Sequence, residues 1–571
     1  MGDPAVRPLR VWPVVGLAAI YWTLIAAITQ MDMAMFTRFM SKSLAGLAFL
    51  LLFIILWLSS GRLPWKTRLI GLATFFAAVG LGIALAHRNF DPFSFVLMTV
   101  PYVLTAWVGW MVIGRRSVPA PAVSLVVVLL CTALLFDLVK WDGTDARLHS
   151  DLSFRWSATA EQKFLATKPA AAAGSRESRP WTLRTADWPE FRGPRRDGAV
   201  RGVRIATDWK DAPPQNVWKQ GVGPGWSSMI LVDDFLVTQE QRGDNEAVVC
   251  YTADNGKEVW VYQGGGRFSE GIAGPGPRAT PTYRDGRVYA YGANGHLSCL
   301  EAATGKLVWS REAAREAGAP PPMWGYSASP LVAEGKVVVY VGEPRGVVAV
   351  DAATGAPAWS RPAGKFSYSS AHLVTIGGVS QIVMQDNVRT AGLAVADGAV
   401  LWERPHATES AIPMLQPQPG DDSSLLMSTG LDLSLVEIRR EGAAWKLADK
   451  WVTTRFKPSF NDFVVHDGHA YGLDDGILAC VDLKDGRRVW KKGRYGGGQV
   501  LLLADQGLLL VISEKGELAL VDAKPQEPGD VYRFPALEGK TWNHPVVVGD
   551  RIFVRNSEQM ACYRVRLLKT P

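Results

Sequence analysis

Hydrophobic positions along this chain follow two rhythms. Up to residue 140 they come in unbroken blocks, at roughly 11–30, 43–60, 69–86, 94–114 and 119–139. Each block is about 18–21 residues, long enough as a helix to cross the hydrocarbon core of a bilayer. The pattern predicts an α-helical membrane domain of about five spans. Beyond residue 200 the blocks give way to short β-rich runs, each followed by a turn and a strand that closes on an aromatic. The clearest copies are CYTADNGKEVW (250–260), CLEAATGKLVW (299–309), AVDAATGAPAW (349–359), GLAVADGAVLW (392–402) and CVDLKDGRRVW (480–490). Degenerate copies end at Trp218, at Trp445 or Trp451, and at Tyr532.

Every copy starts with a small residue, turns at a Gly four positions before its end, and places a large ring where it can cover the next sheet. From Trp218 to Tyr532 is 314 residues over seven intervals, about 45 per repeat, which is the spacing of β-propeller blades. A single blade cannot bury both faces, so the blades must stack and close into a ring. The segment 541–565 supplies three strands without a closing Trp phrase, and QNVWKQ (215–220) offers the missing fourth. The last blade is then finished by the first strand, which leaves no open edge. The expected fold is an all-β propeller of about eight four-stranded blades behind the helical membrane domain. The expected boundaries are 1–140 for the membrane domain, 141–186 for a linker and 187–571 for the propeller.

Charge sets the orientation. Arg7, Arg10, Arg62, Lys66, Arg68, Arg115 and Arg116 fall on one side of the spans, against Arg38, Lys42 and Arg88 on the other. The positive-inside bias puts the N-terminus in the cytoplasm and, after five crossings, the propeller outside. A cleaved signal peptide in place of the first span leaves the propeller outside as well. Residues 1–140 hold 11 Lys+Arg and 4 Asp+Glu, which is the whole +7 excess of the chain. The basic balance therefore reflects membrane orientation and excludes a nucleic-acid groove as its explanation. Asp137 is the one acid within a span, near its outer end, where an interfacial position is expected. The Ala/Ser/Pro stretch KPAAAAGSRESRP (168–180) reads as an extracytoplasmic tether. DWPEFRGPRRDG (187–198), rich in turn formers, reads as a lead-in packed on the ring.

Cys131 lies in the fifth block, whereas Cys250, Cys299, Cys480 and Cys562 all take the first position of the phrase. Ala349, Gly392 and Ala519 take that place elsewhere, so small size is the common property. Equivalent positions in neighbouring blades are about 10 Å apart, too far for a disulfide. No metal-ligand spacing exists among the cysteines.

In a propeller the loop before each innermost strand points at the axis. Those loops gather Trp226, Ser228, Arg278, Trp324, Tyr326, Tyr368, His372, Asn461, Asp462, Gln499, Trp542, Asn543 and His544. Rings beside a few polar groups suit a flat ligand or a peptide, and they equally suit a plain polar axis lined by water.

The phrase A-x-D-x-x-T-G-x-x-x-W, repeated about eight times over residues 185–568, resembles the tryptophan-docking repeat of pyrroloquinoline-quinone (PQQ) propellers. That superfamily includes quinoprotein alcohol and glucose dehydrogenases and non-enzymatic relatives such as the BamB lipoprotein, a scaffold in outer-membrane protein assembly. Multiple spans before an external propeller also resemble the anchor of membrane-bound glucose dehydrogenase. The resemblance implies a bacterial inner (cytoplasmic) membrane protein with its propeller on the periplasmic or external side. Two functions follow from it: a scaffold for an envelope protein or peptide, without catalysis or cofactor, or a dehydrogenase using PQQ and Ca²⁺ and passing electrons to membrane quinone. The dehydrogenases need a Glu, an Asn and an Asp converging on calcium. Here Asn461 and Asp462 are adjacent and would point to opposite faces of a strand. Glu409 is the only acid at another axial loop, and no adjacent Cys pair exists. Arg278 and Lys365 are the bases that could meet quinone carboxylates. The scaffold is the leading expectation, with no catalytic and no metal residues.

Overall fold

The computed structural model describes residues 11–31, 35–60, 63–87, 90, 92–113, 121–145, 148–167, 179–408, 411–529 and 531–568. Two compact units emerge, Met1–Ser157 with Ser269–Gly274, and Ala158–Phe268 with Pro275–Pro571.

The first unit holds helices α1 (Trp12–Gln30), α2 (Met35–Leu58), α3 (Trp65–Leu85), α4 (Pro92–Ile113) and α5 (Pro121–Leu135). The first four are long and apolar enough to cross a membrane. The fifth block departs from expectation. Its helix has 15 residues, about 22 Å at the α-helical rise and short of a roughly 30 Å hydrocarbon core. It ends early because the chain leaves through a single 3-10 turn, Phe136–Leu138, into Val139–Thr144, which pairs antiparallel with Ser150–Phe154. Asp137 sits in that turn, buried, and neither carboxylate oxygen meets a hydrogen-bond partner among the described residues. Phe53, Trp57, Phe75 and Trp107 fill the helical core, and Gly71 lets both indoles approach α3 closely. Of the ten charges used for orientation, Arg7, Arg10, Arg62, Arg88, Arg115 and Arg116 lie outside the described residues, as does Glu409.

The second unit is a ring of eight antiparallel sheets. Blade 1 spans 230–264, blade 2 282–312, blade 3 331–361, blade 4 372–405, blade 5 418–453, blade 6 464–494 and blade 7 499–535. Blade 8 takes three strands from 546–564 and its outermost from Gln215–Gly221, with Cys562 opposite Trp218. The ring is thus closed by a strand that precedes all those of blade 1 in sequence. Two-residue hairpins join the first and second strands in every blade but the seventh, where residues 504–507 intervene. Asp285–Gly286 and Asp467–Gly468 hold positive φ at both positions, as the twist of a tight hairpin requires.

The repeated phrase becomes third strand, turn and fourth strand. Cys250, Cys299, Ala349, Gly392 and Cys480 each lie directly across from the Trp that closes the phrase, and a bulge follows at every one. Except at Trp402, the indole leaves its own sheet and clasps the turn of the next blade. Trp218, Trp260, Trp309, Trp359 and Trp451 donate their ring N–H to the carbonyls of Ala253, Ala302, Ala352, Val395 and Leu483, at 2.8–3.1 Å. The ring faces lie on Gly256, Gly305, Gly355, Gly398 and Gly486 respectively. Blade 5 settles the ambiguous copy in favour of Trp451, opposite Leu435, while Trp445 lies at the far end of a long hairpin, near Gly377. In blade 7 the position expected for Tyr532 belongs to Arg533, opposite Ala519, and Tyr532 is exposed.

The stretch read as a linker carries structure at its start. Ala160–Thr167 is a helix whose Glu161 accepts from the Gly243 N–H at 2.8 Å and from Arg267 at 2.9 Å. Phe164, three residues on, is buried from the same face, beneath Arg242. Lys168–Ser178, most of the Ala-rich tether, lies outside the described residues.

Candidate functional site

Two residues before the innermost strand, most blades place a polar side chain at the axis. Ser228 donates its N–H to Thr280 Oγ1 (3.1 Å), Thr280 to Ser329 Oγ (2.9 Å) and Ser329 to Ser370 Oγ (2.9 Å). Farther round, the Asp462 N–H reaches Gln499 Oε1 (3.3 Å), and Ser228 Oγ donates back to the His544 carbonyl (2.8 Å). Blade-to-blade hydrogen bonds thus line the axis. Gln416 is the exception: its buried side-chain amide has no partner among the described residues.

The axis is filled by Asp187–Val200. Trp188 exchanges two backbone bonds with Leu231 of blade 1 (2.8 and 2.9 Å), and the Pro189 carbonyl accepts from the Tyr283 N–H of blade 2 (2.8 Å). Arg196 donates to the Ser329 and Pro330 carbonyls of blade 3 and to Glu190 at 2.9 Å. His372 of blade 4 touches the Arg195 carbonyl (3.1 Å), and Gln418 of blade 5 donates to that of Arg196 (3.2 Å). Arg192 pairs with Asp462 of blade 6 (3.3 Å) and donates to the Phe463 carbonyl. Ala199–Val200 adds a short parallel strand to blade 7, and Phe191 meets His544 of blade 8 edge-on at 5.2 Å. All eight blades touch this one segment. Arg192 and Arg196 hold positive φ of 61° and 52°, a conformation side chains tolerate only where surroundings impose it.

Electrostatics follow from this burial. Desolvation alone would raise the Asp462 carboxyl, but Arg192, then His544 at 3.1 Å, outweigh it and hold it below the ordinary carboxylate range. Burial pushes His372 down to about 4, against the pull of two carbonyls. A neutral imidazole has one N–H, so only one carbonyl receives it. The Pro417 carbonyl, at 2.7 Å, is the nearer to the ring.

The candidate residues divide between this axis, the loops above it and the sheets. His372, Asp462 and His544 contact the axial segment. Asn461 diverges from Asp462 and donates to the Gly498 carbonyl (2.5 Å), so the two side chains do not converge on one point. Gln499 ties the Phe460 and Trp542 carbonyls, and Asn543 those of Gly225 and Ser227. Trp226, Trp542 and Phe460 cluster at about 5 Å, with Lys540 over both indoles and Glu514 on the Trp542 N–H. Trp324 packs on Tyr368 at 5.0 Å. Arg278 covers Phe268, and Lys365 is exposed. Tyr326 departs from expectation: it points into the sheets and donates to the Val341 carbonyl (2.8 Å). Gly325, at φ 70°, turns the chain just before it. Sequence reasoning missed Glu190, Arg192, Arg196 and Gln416. The available signal was Arg alternating with Gly and Pro in FRGPRRDG.

Among the described residues no three His, Cys, Asp or Glu side chains converge as metal ligands. A cavity of about 10 Å³, room for roughly one water, lies between blades 1 and 2 against Gln239, Glu246, Tyr262 and His296. Burial pushes the Glu246 carboxyl up to about 8, opposed by Arg278 and the Ala293 N–H. An acid whose folded pKa exceeds its unfolded value supports the fold fully below the latter, and loses that support as pH rises through the former. Relative to Glu246→Gln, the native protein is expected to lose about 2–3 kcal/mol between about pH 5.5 and 7.5. Urea midpoints of both proteins at the two pH values measure this.

A family profile described as outer membrane protein assembly factor BamB matches residues 244–492 and 474–566. BamB of Moranella endobia (strain PCIT) is 31% identical over 123 residues, which are 21% of this chain and 28% of that relative. The chain therefore spans under a third of that relative's length. Among solved structures, BamB from Moraxella catarrhalis aligns with a TM-score of 0.46 at 13% identity, over 62% of this chain and 99% of its own. Quinohemoprotein alcohol dehydrogenase from Comamonas testosteroni aligns with a TM-score of 0.48 at 12% identity, over 68% and 82%.

Proposed function

We propose, since the chain belongs to the propeller family described as outer membrane protein assembly factor BamB, that it is a membrane-anchored scaffold binding an envelope protein or peptide without catalysis. One observation carries this reading: the axis, where a ring offers its most enclosed site, is occupied by the chain's own Asp187–Val200. The Asp462 carboxylate, the best-placed candidate base, is committed to Arg192 and His544. Its neighbour Asn461 turns away to Gly498. That donor set does not suit a calcium-bound quinone, which needs several oxygens converging on one cation. The loops above the axis instead present half-buried rings beside a few charges, the composition from which protein contacts draw most of their energy. Charge asymmetry supports a cytoplasmic N-terminus, and a periplasmic or external propeller then requires the short α5 to make a fifth crossing through a locally thinned bilayer.

Purified full-length protein mixed with PQQ and Ca²⁺ is expected to take up no stoichiometric quinone and to reduce no dye with alcohols or aldoses. Equilibrium dialysis and a dye-linked assay test this. One quinone per chain with turnover would replace the scaffold by a dehydrogenase.

A further inference from the structure

The strand that closes the ring is also the first strand of the blades' four-strand ladders to follow the membrane helices in sequence. Gln215–Gly221 is the outermost strand of blade 8 and is held to it by one ladder, opposite Gln559–Arg564. A tether pulling directly on its N-terminal end would load that ladder one hydrogen bond at a time. Loss of the strand opens the ring and exposes the edge of blade 8.

The chain approaches by another route. After the Ala160–Thr167 helix, held by Glu161 to Gly243 and Arg267, Arg179 and Arg184 clamp Asp233 and Asp234 in the hairpin of blade 1. Trp181 stacks between Phe235 at 4.8 Å and Tyr283 at 5.8 Å. Asp187–Val200 then runs through the axis before the chain reaches Gln215. Two of its three guanidiniums are buried, Arg192 against Asp462 and Arg196 against Glu190. Its backbone carbonyls at Trp188, Pro189 and Gly198 accept from inner strands of blades 1, 2 and 7.

We infer that the axis of the ring is a docking site for this chain's own Asp187–Val200, and that the docked segment fastens the propeller to its membrane helices. The covalent link onward to the closing strand then carries no load. Force arriving from the tether is shared by eight blades rather than by one edge ladder. The left-handed backbone at Arg192 and Arg196 belongs to this role, since docking imposes on the segment a conformation that it would not hold alone.

The test uses the full chain with an N-terminal affinity tag and a protease site inserted after Gly202, which is exposed and where an added side chain meets no neighbour. After cleavage under native conditions, residues 203–571 are expected to stay with residues 1–202 through capture, washing and elution. Prompt release of 203–571 from the cleaved native chain would overturn the inference without any substitution. In the Arg192→Ala, Arg196→Ala double variant, release is expected to be faster by roughly ten-fold or more, as for loss of buried charge pairs. Unchanged retention in that variant would assign the hold to the Arg179–Arg184 clamp or to the Glu161 contacts with Gly243 and Arg267, and also overturn it. Tryptophan fluorescence of the uncut variant reports whether its ring is folded. If it is not, the cleaved native chain alone decides.

Discussion

Arg555→Met is expected to cost about 3–5 kcal/mol of stability, the range for stripping a fully buried cation from the groups built around it. Arg555 ends the second strand of blade 8 and has no exposed surface. Its guanidinium donates to the carbonyls of Gly223 (3.1 Å), Gly225 (3.3 Å) and Gln239 (3.0 Å), and to the Thr238 hydroxyl. Gly223 and Gly225 leave the closing strand, whereas Thr238 and Gln239 belong to blade 1. One side chain therefore ties the last blade, the chain that completes it and the first blade at the seam. Burial pulls the Arg555 pKa down, and the nearby Glu240 carboxylate opposes this without touching it. Methionine fills the volume but leaves those buried carbonyls without donors, each worth about 1–3 kcal/mol of lost solvation. Arg555→Lys keeps the charge with three donors on a single nitrogen, and should recover part of the loss. The check is the urea midpoint, with hydrogen exchange along Gln215–Gly221 as the local readout. A loss below about 1 kcal/mol would mean that the seam is held elsewhere.

The blades were legible because each phrase is a local object. A small residue, a positive-φ Gly and an aromatic within eleven positions specify strand, turn and strand without reference to anything distant. Closure by Gln215–Gly221 was legible for a different reason: one strand was missing at the end and one was spare at the start. Counting failed where a local element changed length. The blade 7 turn carries Pro525 and Pro528, so its last strand starts at Arg533, not Tyr532. There the guanidinium turns back toward blade 6, 4.3 Å from the Tyr495 ring, and bonds Glu517 of its own blade, so it does not take the indole's place on the next blade. Blade 5 has no Asp-x-x-Thr-Gly turn to receive Trp402. That indole turns back on its own sheet to Gln381 Oε1 at 2.5 Å, and Gly392 is required because a Cβ there would meet the ring. The axis was the least legible part. FRGPRRDG announces turns, but its meaning depends on Asp462, 270 positions away. No local pattern records that two of its three guanidiniums are buried.

Trp309→Ala is expected to destabilise the ring by about 3–5 kcal/mol, the usual range for a core aromatic, and its partner glycine shows what kind of contact is lost. Trp309 is 9% exposed, bonds the Ala352 carbonyl at 3.0 Å and lies across Gly355. An added Cβ on Gly355 would sit 2.7 Å from the indole, and its φ of 72° is costly for any residue with a side chain. Gly355→Ala therefore carries two penalties, one from the backbone and one from the ring, together about 2–4 kcal/mol. Removing the ring removes only the second. The double variant is expected to be more stable than the sum of the single losses predicts, by about 1–2 kcal/mol, when the cycle is measured by denaturant unfolding. Additive losses would mean that the indole does not rest on the glycine. The same cycle at Trp402 and Gly442 should show no coupling, because the blade 5 hairpin brings nothing within 4 Å of a Cβ on Gly442. Coupling at the first pair and none at the second is the signature of a belt whose strength resides in each indole–glycine clasp.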